Sequence, residues 1–381
     1  ARQLEEMEKQ GADIEVIVPM VKCPKFLSNF QRWRIYNHQW RCEFKGIKAI
    51  SAPYFRLPGK WFRHWAFIAV FMAVRKQVIK LHQKKPFDII YARFLFPEGY
   101  AAVRLSETLK IPVVGVGAGD EINIYPNDSI VFKKDMIWIL RKLNGIISSG
   151  AKVASNIIEL SGRKPLMIYG VVDLNEFSPV IDKFPIRKLL GIEDKLTVLY
   201  VGTFKVAKGV HEMVEAFIRI SRKMPNVQFI ICGYGREEEK MRVAIKKAEA
   251  GEVIKIMGIV DSQEVHKWMQ ASDIFILPSY SEGMPNSVME AMACGLPIVA
   301  TKVGGLPEAI GDCKGATLIE PKNIEELTNA IIKIADDTKL RKKMCIESRK
   351  RAEEKFGLQR NSEKILEFFS GIIQSGRDIK I

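Results

Sequence analysis

The stretch that decides the fold is Leu277 to Gly305, LPSYSEGMPNSVMEAMACGLPIVATKVGG. An apolar run from Ile274 to Leu277 ends at Pro278. A polar turn follows, then a short helix with Asn286 or Ser287 as its N-cap, then a second apolar run from Ile298 to Ala300. The pattern predicts strand, loop, helix, strand. Glu282 falls in the loop and Glu290 about one turn inside the helix, so two carboxylates flank a helix N-terminus without facing each other. The N–H groups of a first helical turn lack intrahelical acceptors and favour an anion. A ligand carrying both phosphate and hydroxyl groups would use all three features, the amides on the phosphate and one carboxylate on each of two sets of sugar hydroxyls. Taken singly, such acids are ordinary solvated residues; their company gives them weight.

The 27 residues from Glu282 to Glu308, EGMPNSVMEAMACGLPIVATKVGGLPE, resemble the Glu-x7-Glu signature of glycosyltransferase family 4, whose members are retaining enzymes of the GT-B fold. Working outward, VLYVGTFKVAKGVHEMVEAF (Val198 to Phe217) resembles the family's phosphate-binding region, with Lys208 on the lysine that holds the donor diphosphate. Thr203 replaces the usual arginine, and Lys205 stands two residues away as a substitute. A leaving nucleoside diphosphate gains negative charge, which a fixed ammonium and a helix N-terminus stabilise whatever the family. Val227 to Cys232 and Val253 to Met257 read as strands, followed by Gly233-Tyr234-Gly235 and Gly258-Ile259-Val260, loops that in the family line the nucleotide pocket.

The resemblance implies two Rossmann-like doubly wound parallel-sheet domains facing a central cleft that closes to exclude water. It assigns Glu282 to hydroxyls of the transferred sugar, Glu290 to the ribose, Lys208 to the diphosphate, and the amides around Asn286 and Ser287 to phosphate or sugar. Gly202, Thr203, Lys205, Gly233, Tyr234, Ile259, Val260 and Met284 complete the implied donor site. The implied donor is a nucleotide diphosphate sugar, UDP-linked in preference to GDP-linked, with no further cofactor. Retention is expected by front-face attack, with the leaving phosphate as base. No Asp-x-Asp stands at a strand end and Asp336-Asp337 falls in a helical pattern, so a hexosyltransferase without a bridging metal is expected.

The first half of the chain matches less strongly. The strand IPVVGVG runs into Ala118-Gly119-Asp120-Glu121, at the carboxyl end where open sheets bind ligands. Many family members carry His or Arg before Gly-Ser-Asp here; Ala118 removes that side chain, leaving Ala118, Gly119 and Asp120 as the acceptor-side positions. Gly115, Gly117 and Gly119 could equally serve only to turn the chain. Met167 to Pro179 resembles the family's segment at the domain junction, with Tyr169 in place of Asn. The expected division is 1–172, 173–358 and a final helix, 359–381, crossing back to the first domain. Arg2 to Gln10 reads as a helix, Asp13 to Val18 as a strand, Trp61 to Lys84 as one long helix and Leu140 to Ser149 as a buried strand. Since an α/β sheet rarely begins with a helix, a strand and its loop are expected ahead of Ala1, and the resemblance implies that this loop is glycine-rich.

Charge adds a separate clue. Between Lys22 and Arg93 sixteen Lys and Arg face only Glu43 and Asp88, which accounts for nearly all of the net charge of +15. Trp33, Trp40, Trp61 and Trp65 fall in the same segment. Basic residues interleaved with Trp suit an anionic membrane surface; nucleic acid is disfavoured, and a solvated basic face is the plain alternative. The expected acceptor is therefore a saccharide or a lipid-linked saccharide, as in members that build teichuronic-type cell-surface polysaccharides. Six scattered cysteines without metal-ligand spacing read as free thiols, which places the protein in the cytoplasm, and the basic segment is what would set it at the inner face of the membrane. Two other readings follow from the same residues: a nucleotide-sugar epimerase of the same fold, and a non-catalytic nucleotide-sugar- or lipid-binding protein, suggested by Ala118 and Thr203.

Overall fold

The computed structural model describes residues 2–22, 43–44, 47–55 and 63–378. Trp33, Trp40, Trp61, Cys23, Cys42 and much of the basic segment, including Lys25, Arg32, Arg34, Arg41, Lys45, Arg56 and Lys60, lie outside the described residues. The chain divides into two compact units, residues 1–169 with 359–381, and residues 170–358.

In the first unit β1 (Val16–Val21) runs parallel to β3 (Ile47–Tyr54), and β2 (Glu43–Phe44) is antiparallel to β3. A separate four-stranded parallel sheet has the order β4 (Ile90–Ala92), β5 (Val113–Gly117), β6 (Gly145–Ser148), β7 (Leu166–Met167). The strand predicted at Asp13 to Val18 is thus displaced to Val16–Val21 and includes Pro19. As an edge strand of its sheet, β1 tolerates a residue that cannot donate a ladder hydrogen bond. The predicted strand Leu140 to Ser149 shrinks to Gly145–Ser148, because Leu140 to Lys142 finish the helix Ile130–Lys142. Phe132, Met136, Ile139, Leu140 and Leu143 recur at helical spacing and are all buried in the core of this unit, so period 3.6 wins over the short apolar run. Phe67 of the helix Arg63–Lys84 stacks on Phe132 with ring centroids 5.6 Å apart.

On the other side of the four-stranded sheet, Ile365 and Phe369 of the last helix, Leu358–Asp378, pack with Met7 of Arg2–Lys9 on Val114, Val116 and Ile147. Burying each large apolar side chain there contributes roughly 1.5–3 kcal/mol. Gly145 lets the helix approach: a Cβ at that position would lie 2.4 Å from Ile372 Cδ1.

The second unit is one six-stranded parallel sheet of order β10-β9-β8-β11-β12-β13. Its strands are β8 (Leu196–Val201), β9 (Val227–Cys232), β10 (Ile254–Gly258), β11 (Ile274–Leu277), β12 (Ile298–Thr301) and β13 (Ala316–Ile319). β8, β9, β11 and β12 are buried almost throughout, as suits their largely apolar runs in a sheet covered on both faces, and Thr197 and Gln228 are buried with them. Phe217 of the helix Val210–Ser221 stacks on Phe229 of β9 at 4.2 Å. From β8 the order grows outward through β9 to β10 in one direction and restarts at β11 in the other. The switch point lies between β8 and β11, where an open α/β sheet leaves a crevice beyond its strand ends.

Candidate functional site

The loops that leave β8 and β11 meet at this switch point. After β8 the chain passes Gly202 to Lys205, makes a turn of 3₁₀ helix at Val206–Lys208 and enters Val210–Ser221. Gly209 has φ +65, and a Cβ there would sit 2.0 Å from the Pro278 carbonyl oxygen. Only glycine satisfies both the left-handed backbone and the close approach. The Tyr280 N–H donates to the Ala207 carbonyl at 2.8 Å, so the two loops are joined through their backbones.

That junction brings Lys208 to Glu282, with Nζ 2.7 Å from Oε1. The Ser279 hydroxyl donates to the same Oε1 at 2.6 Å. Glu282 is only 8 % exposed and Lys208 26 %, so this is a largely buried charge pair braced by a neutral donor. Among the described residues every hydrogen bond to the Glu282 side chain ends on Oε1, which leaves Oε2 able to accept from a ligand hydroxyl. From behind, Gly304 (φ +54) and Gly305 press on the Glu282 loop: Cβ atoms there would lie 1.8 Å from the Glu282 carbonyl and 2.1 Å from that of Gly283. The phenol of Tyr200, fully buried in β8, donates to the Thr203 carbonyl at 3.1 Å. Burial, and secondarily the negative charge of Glu282, push its pKa well above the ordinary value.

The helix beyond Glu282 is Asn286–Ala293, with Pro285 rather than Asn286 or Ser287 at the N-cap and no side-chain cap. Pro285 is extended and its carbonyl accepts from Met289 N, which makes Asn286 the first helical residue and leaves its side chain exposed. The first-turn amides are therefore not taken by a capping side chain. Glu290 lies one turn further, half-buried. Gly170 packs under this helix, where a Cβ would come 2.4 Å from Met289 Cε.

Gly233 (φ +146) closes on Gly202, with a would-be Cβ 1.8 Å from the Gly202 carbonyl, and Phe204 N donates to the Tyr234 carbonyl at 2.7 Å. The loops after β8 and β9 are thereby locked side by side, with Tyr234 57 % and Ile259 73 % exposed around them. Lys205 is also exposed, while Val260, Thr203 and Met284 are half-buried. The structure thus joins Lys208, Glu282, Gly202, Thr203, Gly233 and Tyr234 through loop contacts.

Ala118, Gly119 and Asp120 belong to the first unit, where Gly119 is extended and Asp120 opens the short helix Asp120–Asn123. Gly115 and Gly117 are packing residues: Cβ atoms would strike Leu95 and Leu143 at the first and Ile157 at the second. Sequence reasoning passed over Ser279, the bracing role of Gly304 and Gly305, and two acids in the first unit. Glu121, buried, accepts at 2.9 Å from Ala118 N, and burial raises its pKa. Glu98 has a buried Oε2 without a hydrogen-bond partner, and burial foremost, then Glu121, pushes its pKa up to about 7. An acid in an otherwise apolar segment, FPEGYAAV, was the available signal. Among the described residues no group of three or more His, Cys, Asp or Glu is gathered as a metal site would need.

Comparison with known proteins follows the same division. The family model Glycosyl transferases group 1 matches residues 182–351, most of the second unit. TuaC of Bacillus subtilis (strain 168), a glycosyltransferase named for teichuronic acid biosynthesis, is 31 % identical over 336 residues, 86 % of this chain and 82 % of its own length. An uncharacterised glycosyltransferase of Methanocaldococcus jannaschii is 25 % identical over 81 % of this chain and 80 % of its own. Among solved structures, sucrose-phosphate synthase from Thermosynechococcus elongatus superposes with TM-score 0.73 at 18 % identity, covering 98 % of this chain and 92 % of that one. HepE of Anabaena, solved in complex with UDP, gives TM-score 0.73 at 20 % identity, over 97 % and 95 %. The two units are the Rossmann-like halves of a GT-B fold, and the chain belongs to the family of glycosyl transferases group 1.

Proposed function

We propose that this glycosyltransferase is a retaining, metal-independent hexosyltransferase of family 4 that moves a sugar from a nucleotide diphosphate sugar, UDP-linked by preference, to a saccharide or lipid-linked acceptor in cell-surface polysaccharide or glycolipid synthesis. The observation that carries the reading is the Lys208–Glu282 pair at the switch point between β8 and β11. Lys208 is placed to share its charge between Glu282 and a diphosphate. Oε2 of Glu282 accepts from hydroxyls of the transferred sugar, the amides at Asn286 and Ser287 face the phosphate or sugar, and Glu290 takes the ribose. In the reaction the bond from the anomeric carbon to the β-phosphate oxygen breaks, and the acceptor oxygen bonds to that carbon on the same face. Its proton passes to the departing phosphate, whose charge Lys208 and the helix N-terminus stabilise. TuaC, named for teichuronic acid biosynthesis, and HepE, solved with UDP, support the choice of polymer and of donor. The protein works in the cytoplasm at the inner face of the membrane, which it meets through the basic segment 22–93.

The test is a thermal-shift series with UDP, GDP and ADP and their sugars, followed by product analysis with the donor that stabilises. A ligand at 100 times its Kd adds about 2.7 kcal/mol to folding. UDP should raise Tm in the wild type and fail to do so in Lys208→Ala and Glu290→Ala. Binding without transfer or hydrolysis would instead establish the non-catalytic reading that Ala118 and Thr203 favour, and no shift with any nucleotide would refute the donor site.

A further inference from the structure

The helix Arg63–Lys84 carries five Lys and Arg and no acid among its 22 residues, RHWAFIAVFMAVRKQVIKLHQK. One side is committed to the core: Ala66, Phe67, Val70 and Val74 are buried, the last two against Ala52, Tyr54, Ala101 and Leu105. Its first turn is fixed by Arg63, which pairs with Asp128 at 3.0 Å and stacks on Tyr125 at 3.6 Å. The opposite side presents Trp65, 63 % exposed, and Met72, 58 % exposed. Trp65, Met72, Lys76 and Gln83 are spaced by seven, four and seven residues, which sets them on one stripe of an α-helix. Arg75 and Lys80 flank that stripe and are exposed, with Ile68 and Ile79 half-buried beside it.

A stripe that opens on Trp65 and Met72, continues through Lys76 and is flanked by Arg75 and Lys80 has the chemistry of a surface lying in a headgroup layer: the indole and thioether enter the acyl boundary while ammonium and guanidinium groups meet lipid phosphates. No helix among the described residues is long and apolar enough to cross a membrane. With its other side held in the core, this one can lie only parallel to a bilayer. We propose that the outward face of Arg63–Lys84 is a docking surface for an anionic lipid bilayer. This rests on the membrane-facing reading above and sharpens it from a segment to a face. Charge complementarity selects anionic over zwitterionic lipid, and exposed Trp65 and Met72 favour a bilayer over a nucleic-acid duplex, whose phosphate backbone would meet the cations alone.

The full chain is sedimented with phosphatidylglycerol-rich vesicles and with pure phosphatidylcholine vesicles, and UDP thermal shifts are recorded on the same preparations. Wild type should partition to the anionic vesicles, and Arg75→Glu/Lys76→Glu/Lys80→Glu should lower the partition coefficient at least about tenfold while keeping the wild-type UDP shift. Independently, quenching of tryptophan emission by brominated-chain lipid should fall in the conservative Trp65→Phe variant, which keeps the fold. Equal partition to both vesicle types, undiminished partition of the triple variant, or unchanged quenching in Trp65→Phe would overturn the proposal. A competing oligonucleotide that binds through the same three cations but leaves Trp65 quenching absent would also overturn it. A lost UDP shift with intact vesicle binding would sink the donor reading and leave the docking face standing.

Discussion

Both units place carboxylates beyond the carboxyl ends of parallel strands, and they treat them in opposite ways. In the second, Glu282 is almost buried but compensated, with an ammonium at 2.7 Å and a hydroxyl at 2.6 Å on one oxygen. In the first, Glu98 and Glu121 are withdrawn from solvent with no ion pair recorded for either among the described residues, and burial raises both pKa values. The same strand–loop–helix geometry thus yields an ion-paired carboxylate in one place and, in the other, acids whose pKa values burial raises. What differs is the partner that a neighbouring loop supplies. Lys208 arrives because Gly209 lets the β8 loop touch Pro278.

The comparison can be broken most sharply at that glycine. Gly209→Val combines a disfavoured left-handed backbone with a clash on the Pro278 carbonyl, and should destabilise by more than about 3 kcal/mol, read as a fall in the denaturant midpoint and a loss of any UDP shift. Removing the cation alone tests compensation. Lys208→Met strands the carboxylate and should cost about 2–3 kcal/mol, whereas Lys208→Met/Glu282→Gln should recover part of that loss in a double-mutant cycle. Additive single effects would mean the pair is not coupled.

For the uncompensated acids the prediction concerns pH. Glu98 has a folded pKa of about 7 against an ordinary value of 4.5, so the folded state binds the proton more tightly than the unfolded chain does. Its contribution is fully present below pH 4.5 and is lost as pH rises through about 7. Glu98→Gln should therefore stabilise at pH 8 by roughly 2 kcal/mol and change little at pH 4, when Tm is followed across that range; no difference at pH 8 would show that Glu98 is solvated. The smallest effect belongs to the brace on Glu282. Ser279→Ala should cost about 1 kcal/mol and weaken donor binding less than Lys208→Met, while an equal loss would make the hydroxyl as important as the ammonium.

Legibility followed physical range. Strands β8, β9, β11 and β12 are readable to within a residue because they are buried on both faces and appear as apolar runs broken only by Thr197, Gln228 and Thr301. Elements whose identity depends on what covers them were not. Leu140 looks like the start of a strand until Phe132, Met136 and Ile139 are seen to share its core, and Asn286 looks like a cap until Pro285 takes the position. The carboxylates Glu282 and Glu290 were singled out in the sequence by spacing and by resemblance. Ser279 was not, since a serine after a strand has no distinguishing local pattern.

By itself the sequence determined the alternation of strand and helix, the family signature around Glu282 and Glu290, and the concentration of positive charge before Arg93, since each depends on residue type and spacing along the chain. Only the tertiary structure decided that Lys208 meets Glu282, that Gly304 and Gly305 brace the same loop, that Glu98 is held near neutral pKa, and which side of Arg63–Lys84 faces outward. Those outcomes depend on distances between segments far apart in sequence and on the local dielectric. Both are set when the strands take their order in the sheet.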